Sequence, residues 1–164
     1  MALTEAATAQ SAPAPQVLVV DTDRLFSEST LGRARAAEFE QAFRALAAEN
    51  AEIEATLISD ERALTDLRPS LSPEEFRARA DAFDKRVDQL RAEQDEKERQ
   101  LSRARDEAQA ELFNAFSEIV SEIVRTRGAL VVIDRRNVYL SVGGLDITDE
   151  ALAQFNALRD LEEN

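Results

Sequence analysis

Between Gly32 and Leu67 one stripe of residues recurs at alternating steps of four and three: Gly32, Ala36, Phe39, Phe43, Leu46, Asn50, Ile53, Leu57, Asp60, Leu64 and Leu67. This is a heptad seam. A chain that sustains it for so many turns is committed to a long helix whose seam lies against another helix. Off the seam the residues are mostly Glu, Arg and Ala, which suit a solvated helix surface. A second seam runs through Phe76, Ala80, Phe83, Val87, Leu90, Gln94, Lys97, Leu101, Ala104 and Ala108. Pro69 and Pro73 stand between the two and forbid one uninterrupted helix. Ser72-Pro73-Glu74-Glu75 then reads as a new helix start, with Ser72 as N-cap, Pro73 in the first turn and Glu75 closing a capping box. Leu71 and Phe76 fall on the two positions of a hydrophobic staple around it.

Folded antiparallel about that turn, the seams come into register. Leu67 meets Phe76, Leu57 meets Val87, Ile53 meets Leu90, Phe39 meets Ala104, and the polar exceptions Asn50 and Gln94 fall opposite each other. Independent polar interruptions would rarely coincide, so the match supports an intramolecular hairpin whose first arm of about 38 residues spans roughly 57 Å. Asn50, Gln94 and Lys97 interrupt the seam at one level and Asp60 does so nearer the tip. A polar layer of this kind reads as a register-setting or hinge device.

Outside the hairpin the period changes. Val17-Leu18-Val19-Val20 is a short apolar run suited to a buried strand, and Thr22 can cap the turn that carries Leu25 and Phe26. Past Leu112 the second helix widens its apolar face through Phe116, Ile119, Val120, Ile123 and Val124, and it ends at Gly128 with Arg125 and Arg127 in the last turn. Ala129 to Ile133 reads as a second buried strand, Asp134 to Asn137 as a hairpin turn and Val138 to Val142 as a third strand. Thr148 is the expected N-cap of a short terminal helix with Leu152, Phe155 and Leu158 on one face. Three short strands do not bury their own faces, so this body should associate with copies of itself. The body contacts are expected from Val17, Leu18, Val19, Val20, Leu130, Val131, Val132 and Ile133. The fold class is α+β, mostly α. A long antiparallel coiled-coil hairpin over 30–127, with its tip about 68–73, rises from a small β body built from 17–29 and 128–164.

Several function classes drop out. The chain has no Cys and no His, which removes thiol chemistry, the usual zinc sites and imidazole catalysis. The formal net charge of −13 argues against nucleic acid and makes binding of anionic lipid or lipopolysaccharide doubtful. Asp21, Asp23 and Asp134 read as turn formers at strand ends, and Arg135-Arg136 as exposed turn charges rather than an anion site. No enzyme activity, cofactor or metal is expected. Residues 1–16 read as a disordered leader or the remnant of an export signal, with Ala7-Thr8-Ala9 in the form of a cleavage site.

From Val17 to about Asn156 this layout resembles the Skp/OmpH family of periplasmic chaperones. The opening Val17-Leu18-Val19-Val20-Asp21 with Leu25-Phe26 is similar to the family's first strand and turn. More specific is the closing order: Ala129 to Asp134, then Val138-Tyr139, then Leu145-Asp146-Ile147-Thr148. The resemblance implies a periplasmic homotrimer. Its strands form a barrel-like body, and its three helical hairpins enclose a cavity that holds an unfolded outer-membrane β-barrel protein without ATP. The acidic charge departs from the family's best-known members, which are strongly basic. Off-seam apolar residues that could touch such a client are few, and Ile58 is the clearest. The alternative function is an envelope coiled-coil scaffold or adaptor without general chaperone activity.

Overall fold

The computed structural model describes residues 17–141 and 143–162; the expected leader and Val142 lie outside them. Strand β1 (Val17–Val20) is followed by a short helix α1 (Thr22–Glu28) and the 38-residue α2 (Thr30–Leu67). A 3-10 turn (Arg68–Ser70) leads into the 55-residue α3 (Pro73–Arg127), then β2 (Val131–Asp134), a second 3-10 turn (Arg135–Asn137) and α4 (Thr148–Glu162). The chain divides into two units, Met1–Arg33 with Leu112–Asn164, and Ala34–Glu111.

In the first unit β1 and β2 pair in parallel, Val17 against Val131 through Val20 against Asp134. Parallel neighbours require a long crossover, which α1, α2 and α3 supply. Leu18, Val20 and Leu25 pack with Leu112, Phe116, Ile119 and Ile123 of α3 and with Ile147, Ala151, Leu152 and Phe155. The rings of Phe116 and Phe155 stack at 4.1 Å, and Phe26 meets Phe116 edge-on at 6.0 Å. The widened apolar face expected beyond Leu112 is thus the main wall of this core.

Two strand expectations change here. Val138 to Ser141 form no strand; Tyr139 and Leu140 lie exposed, and the chain leaves β2 through a 3-10 turn capped by Asp134. The second edge of β1 is taken instead by Leu145 to Ile147. The Val19 amide donates to the Leu145 carbonyl at 2.8 Å, and the Ile147 amide donates to the Val19 carbonyl at 2.9 Å. The physical reason is burial: this register places Ile147 and Thr148 at 0% exposure. A hairpin from β2 would have spent the same length of chain on residues that have no core to face. The second correction concerns coverage. Leu18, Val19 and Val20 are buried within one chain, at 0%, 2% and 8% exposure, so no second copy is needed to cover them. Strand β2 is the less buried one, with Val132, Ile133 and Asp134 half-buried. It begins at Val131 rather than Ala129, with Leu130 at 76% and Val131 at 48% exposure.

Caps are also reassigned. Asp21, not Thr22, caps α1, its Oδ1 accepting from the Arg24 amide at 3.0 Å. The Thr22 hydroxyl instead donates to Oδ2 of Asp134, joining the ends of the two strands. Thr148 lies in the first turn of α4 rather than capping it. Its hydroxyl accepts from the Asp21 amide at 2.9 Å and donates to Asp146 at 2.6 Å, tying α4 to the end of β1. Ser29 starts α2 by accepting from the Gly32 amide at 3.0 Å. Helix α3 ends as expected at Gly128, whose φ of 66° is the left-handed cap that glycine adopts freely. The Ala129 amide returns to the Val124 carbonyl at 3.1 Å, as a Schellman closure requires. Arg127 does more than favour the helix dipole, since it pairs with Glu150 of α4.

In the second unit α2 and α3 run side by side in opposite directions, with Asp60 beside Arg86 and Glu49 beside Gln94 and Lys97. The turn is built as its sequence implies. The Glu75 amide donates to Ser72 Oγ at 3.3 Å and the Ser72 amide donates to Glu75 Oε2 at 3.0 Å. Arg68 lies 5.2 Å above the Phe76 ring. The half-buried residues of this unit are mainly those of the two seams, among them Phe39, Phe43, Leu57, Phe83, Val87 and Leu90. No described residue between Ala34 and Glu111 is fully buried. Ala36, Asn50, Leu67, Lys97 and Ala104 lie on the expected stripes yet are exposed.

Candidate functional site

Two surfaces carry the residues singled out from the sequence, one in each unit. In the first unit the surface is the free side of β2. β1 bonds β2 along one edge, and among the described residues no strand pairs with the other. Leu130, Val131, Tyr139 and Leu140 are exposed along and beyond this strand, whereas Val132 and Ile133 are half-buried. Val17 is partly exposed at 38%. Of the eight expected body contacts, Leu18, Val19 and Val20 are therefore interior residues, Val132 and Ile133 are half-buried, and Val17, Leu130 and Val131 are the exposed ones. Beside the sheet, α1, α3 and β2 frame a groove of about 700 Å³ lined by Phe26, Phe113, Val120, Val124 and Val132, with Asp134 and Arg136 at one end. Asp134 accepts from the Arg136 guanidinium and amide and from the Thr22 hydroxyl. These donors, Arg136 foremost, hold its carboxyl well below the usual carboxylate range. A carboxylate this committed to capping and cross-strand bonding is an anchor for the strand ends.

In the second unit the surface is the polar layer between α2 and α3. Gln94 is half-buried, and its Nε2 donates to Glu49 Oε1 at 3.1 Å. Its own Oε1 is buried without a hydrogen-bond partner. Lys97, exposed, donates to the same Glu49 oxygen. Asn50 lines the same groove as Gln94 but is exposed, and the cross-helix bond from Gln94 goes to its neighbour Glu49. A glutamate one position off the seam reaches across the helix interface more easily than the short Asn side chain. Hydrogen bonds from Lys97 and then Gln94 hold the Glu49 carboxyl below its ordinary range. Asp60 is half-buried and accepts from Arg86 at 2.6 Å.

Sequence reasoning does not reach Glu49 and Arg86, because both flank the seams at positions whose charge suits a solvated helix surface. The signal was available: charges at flanking heptad positions pair across helix interfaces. Ile58 is 42% exposed and lies at the rim of a groove of about 860 Å³ between the helices, which Asn50 and Gln94 also line.

A parallel strand pair bridged by long helices, together with an antiparallel helical pair, defines a mostly helical α+β protein. Residues 16–155 match the family model described as outer membrane protein (OmpH-like), and the chain belongs to that family. The crystal structure of a candidate outer-membrane chaperone (OmpH-like) from Caulobacter crescentus superposes with a TM-score of 0.81. The two share 16% sequence identity, over 94% of this chain and 92% of that one. At that identity the likeness is one of fold. No curated protein matches the chain.

Proposed function

We propose that this protein is an ATP-independent holdase of the periplasm, which keeps unfolded outer-membrane proteins apart from one another. Family membership supports the reading. The observation that carries it is the second unit, where two long helices share only a half-buried seam and leave apolar side chains in an open groove. Such a surface offers many weak apolar contacts and no deep pocket. That suits a client which must be held and then released unaltered. The proposed assembly is a homotrimer joined through the β body, with a coiled-coil hairpin from each copy enclosing the client. The edge of β2 that no described strand pairs with, beside exposed Leu130, Val131, Tyr139 and Leu140, is the surface that fits self-association. Enclosure blocks strand pairing between clients, the step by which exposed alternating apolar segments aggregate.

The test dilutes a urea-unfolded outer-membrane β-barrel protein into buffer with and without this protein and follows light scattering. Suppression without nucleotide, at about one trimer per client, is expected because multiple weak contacts act at high effective concentration inside one enclosure. Absence of protection, with binding of a single folded envelope protein instead, would establish the scaffold reading in its place.

A further inference from the structure

The groove between α2 and α3 is asymmetric in charge. Its floor is mostly apolar, formed by half-buried Ile53, Leu57, Phe83, Val87 and Leu90, with Ile58 exposed at the edge and the polar Asn50 and Gln94 also lining it. Its rim carries Glu54 and Glu61 from α2 and Asp84, Asp88 and Asp95 from α3, against one cation, Arg91. Nearby acids are matched, Glu49 by Lys97 and Asp60 by Arg86. None of the five rim carboxylates makes an ion pair among the described residues. The pattern is regular, since Glu54, Ile58 and Glu61 on one helix and Asp84, Asp88, Arg91 and Asp95 on the other follow steps of three and four. Each set therefore lines one helical face.

We infer that this groove docks an amphipathic segment bearing Lys or Arg, bound as a short helix laid along α2 and α3. The apolar face of the segment covers the floor, and its cations meet the rim carboxylates. From Asp84 to Asp95 the rim extends about 16 Å at about 1.5 Å per residue, which sets the occupant at about three helical turns. A groove between two helices receives a third by interleaving its side-chain ridges, so a helical occupant uses floor and both rims at once. An acidic segment would place like charges against five unneutralised carboxylates and be rejected. The inference names the client feature gripped by the helical pair, and to that extent it rests on the chaperone reading. Peptide binding and aggregation suppression are separate measurements, so either idea can fail without the other.

The experiment uses the full chain and fluorescein-labelled amphipathic peptides of about 18 residues, long enough to cover the groove with a turn to spare at each end. One carries Leu on one face and Lys on the other. Its twins carry Glu for Lys, or Ser for Leu. Fluorescence anisotropy should show the Leu/Lys peptide binding at least about tenfold tighter than either twin, and weakening as salt rises. The variant E54Q/E61Q/D84N/D88N should lose about tenfold in affinity. The control E52Q/E98Q/E107Q/E111Q removes as many charges outside the groove and should change affinity by less than about twofold. Equal losses in the two variants would show attraction to bulk charge and overturn the inference, as would equal binding of the Leu/Lys and Ser/Lys peptides, or no binding. Circular dichroism checks that the variants keep their helices. Should the groove variant lose its helices, Ile58→Gln decides, because an exposed apolar contact should weaken binding severalfold and an unchanged affinity would overturn the site.

Discussion

At Gly32 the fold leaves no room for a side chain. A Cβ there would sit 1.9 Å from the Phe26 carbonyl oxygen and 2.7 Å from Ser29 Oγ, both parts of the tight junction between α1 and α2. Gly32→Ala should therefore lower the melting temperature despite alanine's better helix propensity, and calorimetry will show it; an unchanged or raised value would mean the junction yields freely. Phe116 lies 3% exposed between Phe26 and Phe155, and Phe116→Ala should destabilise by about 3–5 kcal/mol in urea unfolding. Asp134 gives the pH dependence. Its folded-state carboxyl is held below the ordinary range by Arg136 and Thr22, so its contribution is fully present above the unfolded carboxylate range. It is lost progressively as pH falls below about 4 toward the folded value. Urea midpoints measured from pH about 6 down to about 3 should fall less steeply for Asp134→Asn than for the unmodified chain. Gly32 could be placed on the heptad stripe from sequence, but the carbonyl that makes it necessary could not, because Phe26 reaches it through a turn rather than along a helix.

Local rules govern the second unit as a set of elements. Ser72, Pro73 and Glu75 are adjacent in sequence and solve the start of α3 among themselves, which is why their bonds could be foreseen atom by atom. Ser72→Ala should cost about 1 kcal/mol of stability in denaturant unfolding. The seams were legible for the same reason, since a period of three and four is a property of the helix alone. The polar layer was legible only in part. Gln94 keeps one donor satisfied by Glu49 and one buried acceptor with no partner. Gln94→Leu relieves that acceptor and adds apolar contact beside Leu90, so it should raise the melting temperature. A fall would mean that the bond to Glu49 outweighs the orphaned oxygen. Asn50→Leu, on an exposed position, should leave the melting temperature nearly unchanged.

For the whole molecule two features bear on the proposed assembly and client capture, the edge of β2 that no described strand covers and the overall charge. If the body assembles through that edge, Leu130→Asp with Leu140→Asp should convert the proposed trimer to monomer in light scattering after size exclusion. Both side chains are exposed at 76% and 82%, so the folded protomer should survive, and a trimer unaffected by both charges would place the contact elsewhere. The net charge of −13 bears on client capture. An acidic client is repelled at long range, so its measured affinity should hold or improve from low to high salt. A steep loss with salt would show that attraction, not apolar contact, holds it.

Heptad spacing, proline placement and capping chemistry depend on residues a few positions apart, and they were enough to specify two long helices, the turn between them and the end of α3 at Gly128. The strand order was not accessible in that way. Val138 to Val142 is as strand-like in composition as Leu145 to Ile147 is poor. The second segment nevertheless holds the edge of β1 because it alone carries Ile147 and Thr148 into the core beneath α4. The same held for the partner of Gln94 and for the bond between Thr22 and Asp134, which joins residues 112 positions apart. Such choices are made by competition for a common buried volume and for shared hydrogen-bond donors, and that competition begins only when distant parts of the chain have met.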